Sequence, residues 1–207
     1  LDMQRMLPRL KTAEKLVKNL SGWTGMPERL EISRIKADLA KVISDFDSNT
    51  DKMDIDQRMK AVERRLYDLY IVSKVSRKGV VPEYVVTNPS SMDKVLQTTG
   101  SAGPVTKSIR LAMCKGEYEP AQIVVTPVAK DISNIKIAVS ELKGPSGNKI
   151  PKDRIVVTPV GYVKNDMPAP GSTMPNVVPD VLLPGRAMNV AVGNRQPFYI
   201  TVQTLTM

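Results

Sequence analysis

The sequence predicts an α+β protein: an N-terminal antiparallel helical hairpin or three-helix bundle, followed by an antiparallel β-sandwich. Three observations predict it. Apolar residues recur at three- and four-residue spacing up to about residue 80. After that point short β-rich runs alternate with Pro/Gly/Asn turns. Between those runs there is no helical pattern of about 10–15 residues, which disfavours a parallel βαβ sheet.

The first helix is expected over about Met3 to Leu20, where Leu10, Ala13, Val17 and Leu20 form a stripe with Met6 and Leu16 beside it. Pro8 should fall in its first turn or mark its start, and Ser21-Gly22 should end it. The second should open near Pro27 and carry the stripe Ile32, Ile35, Leu39, Val42 and Phe46. The third should run from about Asp54 to Lys74. Its seam of Ile55, Met59, Val62, Leu66 and Leu69 is heptad-like, and Gly79 should stop it. Aspartates at the start of this helix and Lys74, Arg77 and Lys78 near its end suit the helix dipole. One apolar stripe per helix calls for mutual packing.

The chain divides on this reading into a helical segment (1–79), a crossing or linker segment (80–104) and the sandwich (105–207). The crossing segment contains a candidate strand, Tyr84-Val85-Val86-Thr87, and then a turn at Asn88-Pro89-Ser90-Ser91. Further strands are expected at Ser108–Met113, Ala121–Val128, Ile132–Val139, Arg154–Val163, Met188–Val192 and Phe198–Leu205. A turn should form at Gly144-Pro145-Ser146-Gly147-Asn148. The stretch Asp166–Arg186 holds five prolines and should be an ordered surface loop, because proline removes a ladder donor. The last strand, which ends the sequence with no turn after it, reads as a truncation and as an unpaired strand.

Composition narrows function. Hydrophobic residues make up 42% of the 207 residues, enough for a core. No run approaches the roughly 18 apolar residues of a membrane span. The net charge is +9 but is spread over the chain: +5 over residues 1–80 and +4 over the remainder. That spread, with 4% aromatics, disfavours nucleic acid as a partner. The single cysteine, Cys114, closes no disulfide within the chain and makes no zinc cluster. Histidine is absent, which removes Ser-His-Asp and Cys-His catalysis and His-ligated metals. No phosphate loop, EF-hand loop or metal spacing occurs, so no cofactor is expected.

One phrase stands out: Gly116-Glu117-Tyr118-Glu119-Pro120-Ala121-Gln122, between two β-rich runs. After it come Val160-Gly161-Tyr162-Val163, Pro179-Asp180-Val181-Leu182-Leu183-Pro184 and Gln196-Pro197-Phe198-Tyr199-Ile200-Thr201-Val202. In this order and spacing, over about residues 83–207, they resemble the β-sandwich domain of glycoside-hydrolase-like proteins in which a TIM-like barrel follows the sandwich. Val181 stands where that class often has proline, and the only tryptophan, Trp23, lies in the helical half. The resemblance implies a partner, the downstream catalytic domain of the same polypeptide or a neighbouring subunit. It also implies extracellular or periplasmic placement. No catalytic residue is assigned to this chain.

Glu117 and Glu119 share a strand-like spacing and would face one side. They read either as a carboxylate pair for glycoside cleavage or as structural groups bonding backbone or an arginine. Gln122 reads as a partly buried amide fixing a turn, and Asp180 as a further structural or interface candidate. Three functions follow in order. The first is a non-catalytic accessory module of a larger carbohydrate-active protein. The second is a stand-alone surface or filament-type assembly protein completed by strand exchange. The third is a polysaccharide-binding module, for which Tyr84, Tyr118, Tyr162, Tyr199 and Phe198 supply the aromatic faces.

Overall fold

The computed structural model describes residues 3–20, 26–48, 52–75, 82–98, 102–165 and 177–205. The protein is α+β, with three helices and a five-stranded antiparallel sheet. It divides into two units: Leu1–Pro82 with Thr98–Ser101, and Glu83–Gln97 with Ala102–Met207.

The first unit holds α1 (Met3–Leu20), α2 (Met26–Asp47) and α3 (Lys52–Val75). Their stripes meet in one core: Met6, Leu10, Ala13 and Val17 from α1, Ile32, Ile35, Leu39 and Val42 from α2, and Ile55, Met59, Val62 and Leu66 from α3. Phe46, Leu69 and Leu16 are only partly buried at its margin. Asp45 accepts from Arg58 at 2.7 Å and Asp38 from Arg65 at 2.5 Å. Seven residues back along α2 thus match seven forward along α3, which makes the pair antiparallel. Ser21-Gly22 and Gly79, expected to end helices, lie outside the described residues, as do Arg77 and Lys78.

Pro8 departs from expectation. It lies inside α1, not in its first turn, because Met6, wholly buried, draws the chain before it into the helix. Pro8 forfeits an intrahelical hydrogen bond there. Pro8→Ala should therefore raise the stability of the helical unit by up to about 3 kcal/mol, read as a higher urea midpoint; a lower midpoint would contradict it.

On α3, Asp56 sits between Arg9 (2.6 Å) and Lys60 (2.7 Å), while Arg9 also reaches Glu63 at 2.8 Å. Burial raises the Asp56 pKa, but the bonds from Lys60 and Arg9 outweigh it and hold the group below its ordinary 3.8. A folded-state value below the unfolded one gives stabilisation that is full above about pH 4 and is lost as pH falls through the lowered value. Asp56→Asn should cost under about 1 kcal/mol at pH 7 and flatten the acid limb of the unfolding midpoint plotted against pH. An unchanged acid limb would rule this out.

The second unit holds β1 (Tyr84–Thr87), β2 (Tyr118–Pro127), β3 (Ile132–Ile135), β4 (Leu142–Lys143), β5 (Lys149–Ile150), β6 (Ile155–Lys164), β7 (Val177–Leu182), β8 (Met188–Val190) and β9 (Gln196–Gln203). The five-stranded sheet has the order β1-β2-β9-β6-β7; β3 pairs with β8, and β4 with β5 around the expected turn.

Four expectations are corrected. The last strand is not unpaired: β9 is central, bonded to β2 from Gln196 to Gln203 and to β6 from Phe198 to Val202. Ser108–Met113 forms no ladder, and β3 stops at Ile135 instead of Val139. The proline-rich stretch is not all loop, because Val177–Leu182 is an edge strand. Among the described residues no strand neighbours its outer side, so Pro179 breaks no second ladder there. Gly161 lies opposite Val181 and Tyr162 opposite Pro179, so Asp180 is the extra residue of a β-bulge. Gly161 permits the approach, since a Cβ there would meet Val181 Cγ1 at 2.6 Å.

Residues opposite each other on antiparallel strands share a face. One face therefore carries Val85, Thr87, Gln122, Val124 and Tyr199; the other carries Val86, Ala121, Ile123, Phe198, Ile200, Val202 and Ile155.

Candidate functional site

The four candidate residues are not brought together. Glu117 precedes β2, and its carboxylate accepts the Cys114 N–H at 2.5 Å. The same turn is closed from β9's end: Glu117 N–H donates to Thr204 Oγ1 (3.0 Å), Thr204 Oγ1 donates to the Cys114 carbonyl (2.6 Å), and Thr204 N–H donates to the Glu117 carbonyl (3.0 Å). Glu119 lies within β2 opposite Val202, half-buried. Asp180 is exposed on β7, three strand steps from β2. At about 4.8 Å per step that is roughly 14 Å, beyond the ~5–9.5 Å of a glycosidase pair.

Gln122 points the other way, with 3% exposure. Its Nε2 donates to the carbonyls of Ser90 (2.9 Å) and Asp93 (3.2 Å), while its main-chain carbonyl accepts from Asn88 Nδ2 at 2.6 Å. Ser90 and Asp93 already close a turn, with Asp93 N–H bonded to the Ser90 carbonyl at 3.0 Å and Ser90 N–H to Asp93 Oδ2 at 3.1 Å. Tyr199, directly opposite Gln122, donates its hydroxyl to the Ser91 carbonyl. The 88–97 segment is thus fastened over one sheet face by side chains from β2 and β9. Gln122→Leu should leave the Asp93 carbonyl without its hydrogen bond and the Ser90 carbonyl with only the one from Asp93 N–H, and cost about 1–3 kcal/mol. Amide exchange in residues 88–97 should rise with it, and unchanged exchange there would refute the fastening role.

Sequence reasoning noted the Gln-Pro-aromatic motif without seeing what its members hold. Gln196 is buried, and its Nε2 reaches the carbonyls of Val160 and Pro197, each at 2.8 Å. The Tyr162 hydroxyl lies 3.0 Å from the Val95 carbonyl and 3.1 Å from that of Arg195. Burial pushes the Tyr162 pKa well above its ordinary value, and the positive charge of Arg195 offsets only part of that. Tyr162 stays protonated and acts as a donor.

The opposite sheet face forms the floor of a groove of about 470 Å³, within the ~300–1,000 Å³ range of ligand pockets. Ala121, Ile123, Ile155, Ile200 and Val202 line the floor. Ile109, Leu111, Val139 and Leu142 complete its apolar lining. Among the described residues the lining holds one cation, Lys107, and no carboxylate. This arrangement can bind apolar matter, but it offers no acid–base pair. Among the described residues no group of acidic or cysteine side chains is placed to hold a metal, and no helix is long and apolar enough to cross a membrane.

No family model matches the chain, and no curated protein matches it. Among solved structures it is similar to a family 123 glycoside hydrolase from Clostridium perfringens, studied for glycolipid glycan hydrolysis, with a TM-score of 0.40 and 14% identity. That similarity covers 44% of this chain and 16% of the hydrolase chain, so it spans about one sixth of the hydrolase.

Proposed function

We propose that the chain is a non-catalytic accessory module of a larger carbohydrate-active, glycoside-hydrolase-like protein, placed outside the cell or in the periplasm, and that its β unit is one side of a sandwich. The observation carrying this reading is how the distinctive motifs are used. Glu117, Gln122, Tyr162, Gln196 and Tyr199 all bond backbone inside the scaffold. The residues behind the family resemblance therefore build architecture, which fits a buttress for a following barrel. On this reading the apolar sheet face calls for a second layer, to which the pairs β3–β8 and β4–β5 belong.

The test is turnover. The 207-residue chain should hydrolyse no member of a panel of aryl glycosides, and activity absent from a mock purification would overturn the reading. Intact mass of the protein from its native source should be well above 22.8 kDa; an equal mass would remove the larger protein from the argument.

One observation favours polysaccharide as an additional partner. Tyr118 is 61% exposed on β2 opposite Gln203, which accepts from Arg154 at 2.6 Å. An open aromatic ring beside hydrogen-bonding groups suits a sugar face. Titration with soluble glycans should show binding that Tyr118→Ala abolishes; flat titrations would dispose of it. The strand-exchange assembly reading loses one of its motivating features, the unpaired last strand, with β9 at the centre of the sheet.

A further inference from the structure

The sheet face that the 88–97 segment covers at one end is open at the other. Side chains alternate along a strand, and opposite residues share a face. Tyr118 and Pro120 of β2 therefore lie on the same face as Gln122. The register sets two rows across three strands: Tyr118, Gln203 and Arg154, then Pro120, Thr201 and Val156. Gln122 is buried, whereas Tyr118 and Val156 are more than half exposed.

The first row carries a positive charge with no counter-ion. Arg154 Nη1 donates to Gln203 Oε1 at 2.6 Å, which fixes the guanidinium in the row. That bond uses one nitrogen. Among the described residues Nε and Nη2 of Arg154 make no hydrogen bond, and no carboxylate pairs with it. The nearby acids are committed elsewhere: Glu117 holds the Cys114 N–H, and Glu119 lies on the other face of β2. Asp153, next in the chain, is exposed and forms no ion pair with Arg154. A guanidinium with its Nε–Nη2 edge open takes a planar carboxylate in two parallel bonds. From β2 to β6 is two strand spacings, roughly 10 Å. A sugar ring lying on Tyr118 thus leaves a carboxylate on that sugar or the next within reach of Arg154.

We propose that this row is a subsite for an acidic polysaccharide and that its occupant is a uronic acid unit. Tyr118 stacks on the C–H face of a sugar ring. Arg154 takes the carboxylate. Gln203, its side-chain carbonyl already held by Arg154, offers its amide N–H groups to a hydroxyl. The inference rests on the polysaccharide reading of Tyr118 and gives that site its ligand class.

Titration of the 207-residue chain with polygalacturonate, alginate and hyaluronan tests it, each polymer against its carboxyl-reduced form. At least one carboxylated polymer should bind at least about tenfold more tightly than its reduced form, the scale of a charge-assisted pair. Arg154→Gln should remove that difference and leave binding of the reduced form unchanged. Lys130→Gln removes the same charge beyond the far end of β2, about 30 Å of strand from Tyr118, and should change nothing. Equal losses from the two variants would mean diffuse attraction to a basic protein and would overturn the subsite. Carboxylated and reduced forms bound equally would overturn the uronate assignment and leave the polysaccharide reading standing; this comparison needs no variant to fold. Tighter, Arg154-dependent binding of dextran sulfate would assign the row to sulfate and overturn the carboxylate. No binding of any polymer would defeat the polysaccharide reading itself.

Discussion

Gly103→Ala is expected to destabilise the β unit by more than about 3 kcal/mol. Two effects combine at this position. Its φ is +84°, a conformation that L side chains rarely adopt. In addition, a Cβ there would lie 2.5 Å from both Cα and N of Pro89, which is backbone and cannot swing aside. The flanking chain is fixed as well: Thr87 Oγ1 donates to the Ala102 carbonyl at 2.5 Å, and Asn88 N–H donates to the Pro104 carbonyl at 2.9 Å. Gly147 supplies the control, with φ +78° and open space around its missing Cβ. Gly147→Ala should cost only about 1 kcal/mol, the conformational part alone. The check is the urea midpoint of each variant, and equal shifts would refute the steric argument.

Leu66→Ala should cost about 2–5 kcal/mol in the helical unit. Leu66 is wholly buried in the core shared by the three helices. Truncation loses its apolar contacts and leaves a cavity that side chains fixed on three helices fill only in part. Leu7, 45% exposed on α1, is the comparison, and Leu7→Ala should stay within about 0.5 kcal/mol. Loss of helical ellipticity with urea should come at clearly lower concentration for Leu66→Ala alone. Similar midpoints for the two variants would mean that Leu66 is not a core residue.

The candidate site was legible in pieces. The phrase from Gly116 to Gln122 was visible as a unit, and Gln122 was readable as an amide fixing a turn. That the turn is Ser90–Asp93, and that Tyr199 holds it from the neighbouring strand, depends on contacts across 32 and 108 positions of chain. No local pattern encodes such contacts. The groove was less legible still. The segments that bring Ile109, Leu111 and Val139 to its lining read as strands because alternation is local, yet whether a strand joins a ladder depends on what lies beside it.

The sequence by itself determined the helices, their buried stripes and the strands β2, β6 and β9. Those signals are periodicities of the backbone, 3.6 residues per turn and two per pleat, and they need no distant partner. Tertiary structure alone decided that Met6 carries α1 back past Pro8 and that β9 is the centre of the sheet. It alone decided that β7 forms within a proline-rich stretch, where Gly161 on the facing strand and a bulge at Asp180 make room for it. In each case the outcome rests on close approach between segments far apart in the chain. The free energy of such an approach is set by the shapes and hydrogen-bonding groups on both sides, and one segment's residues specify only its own half.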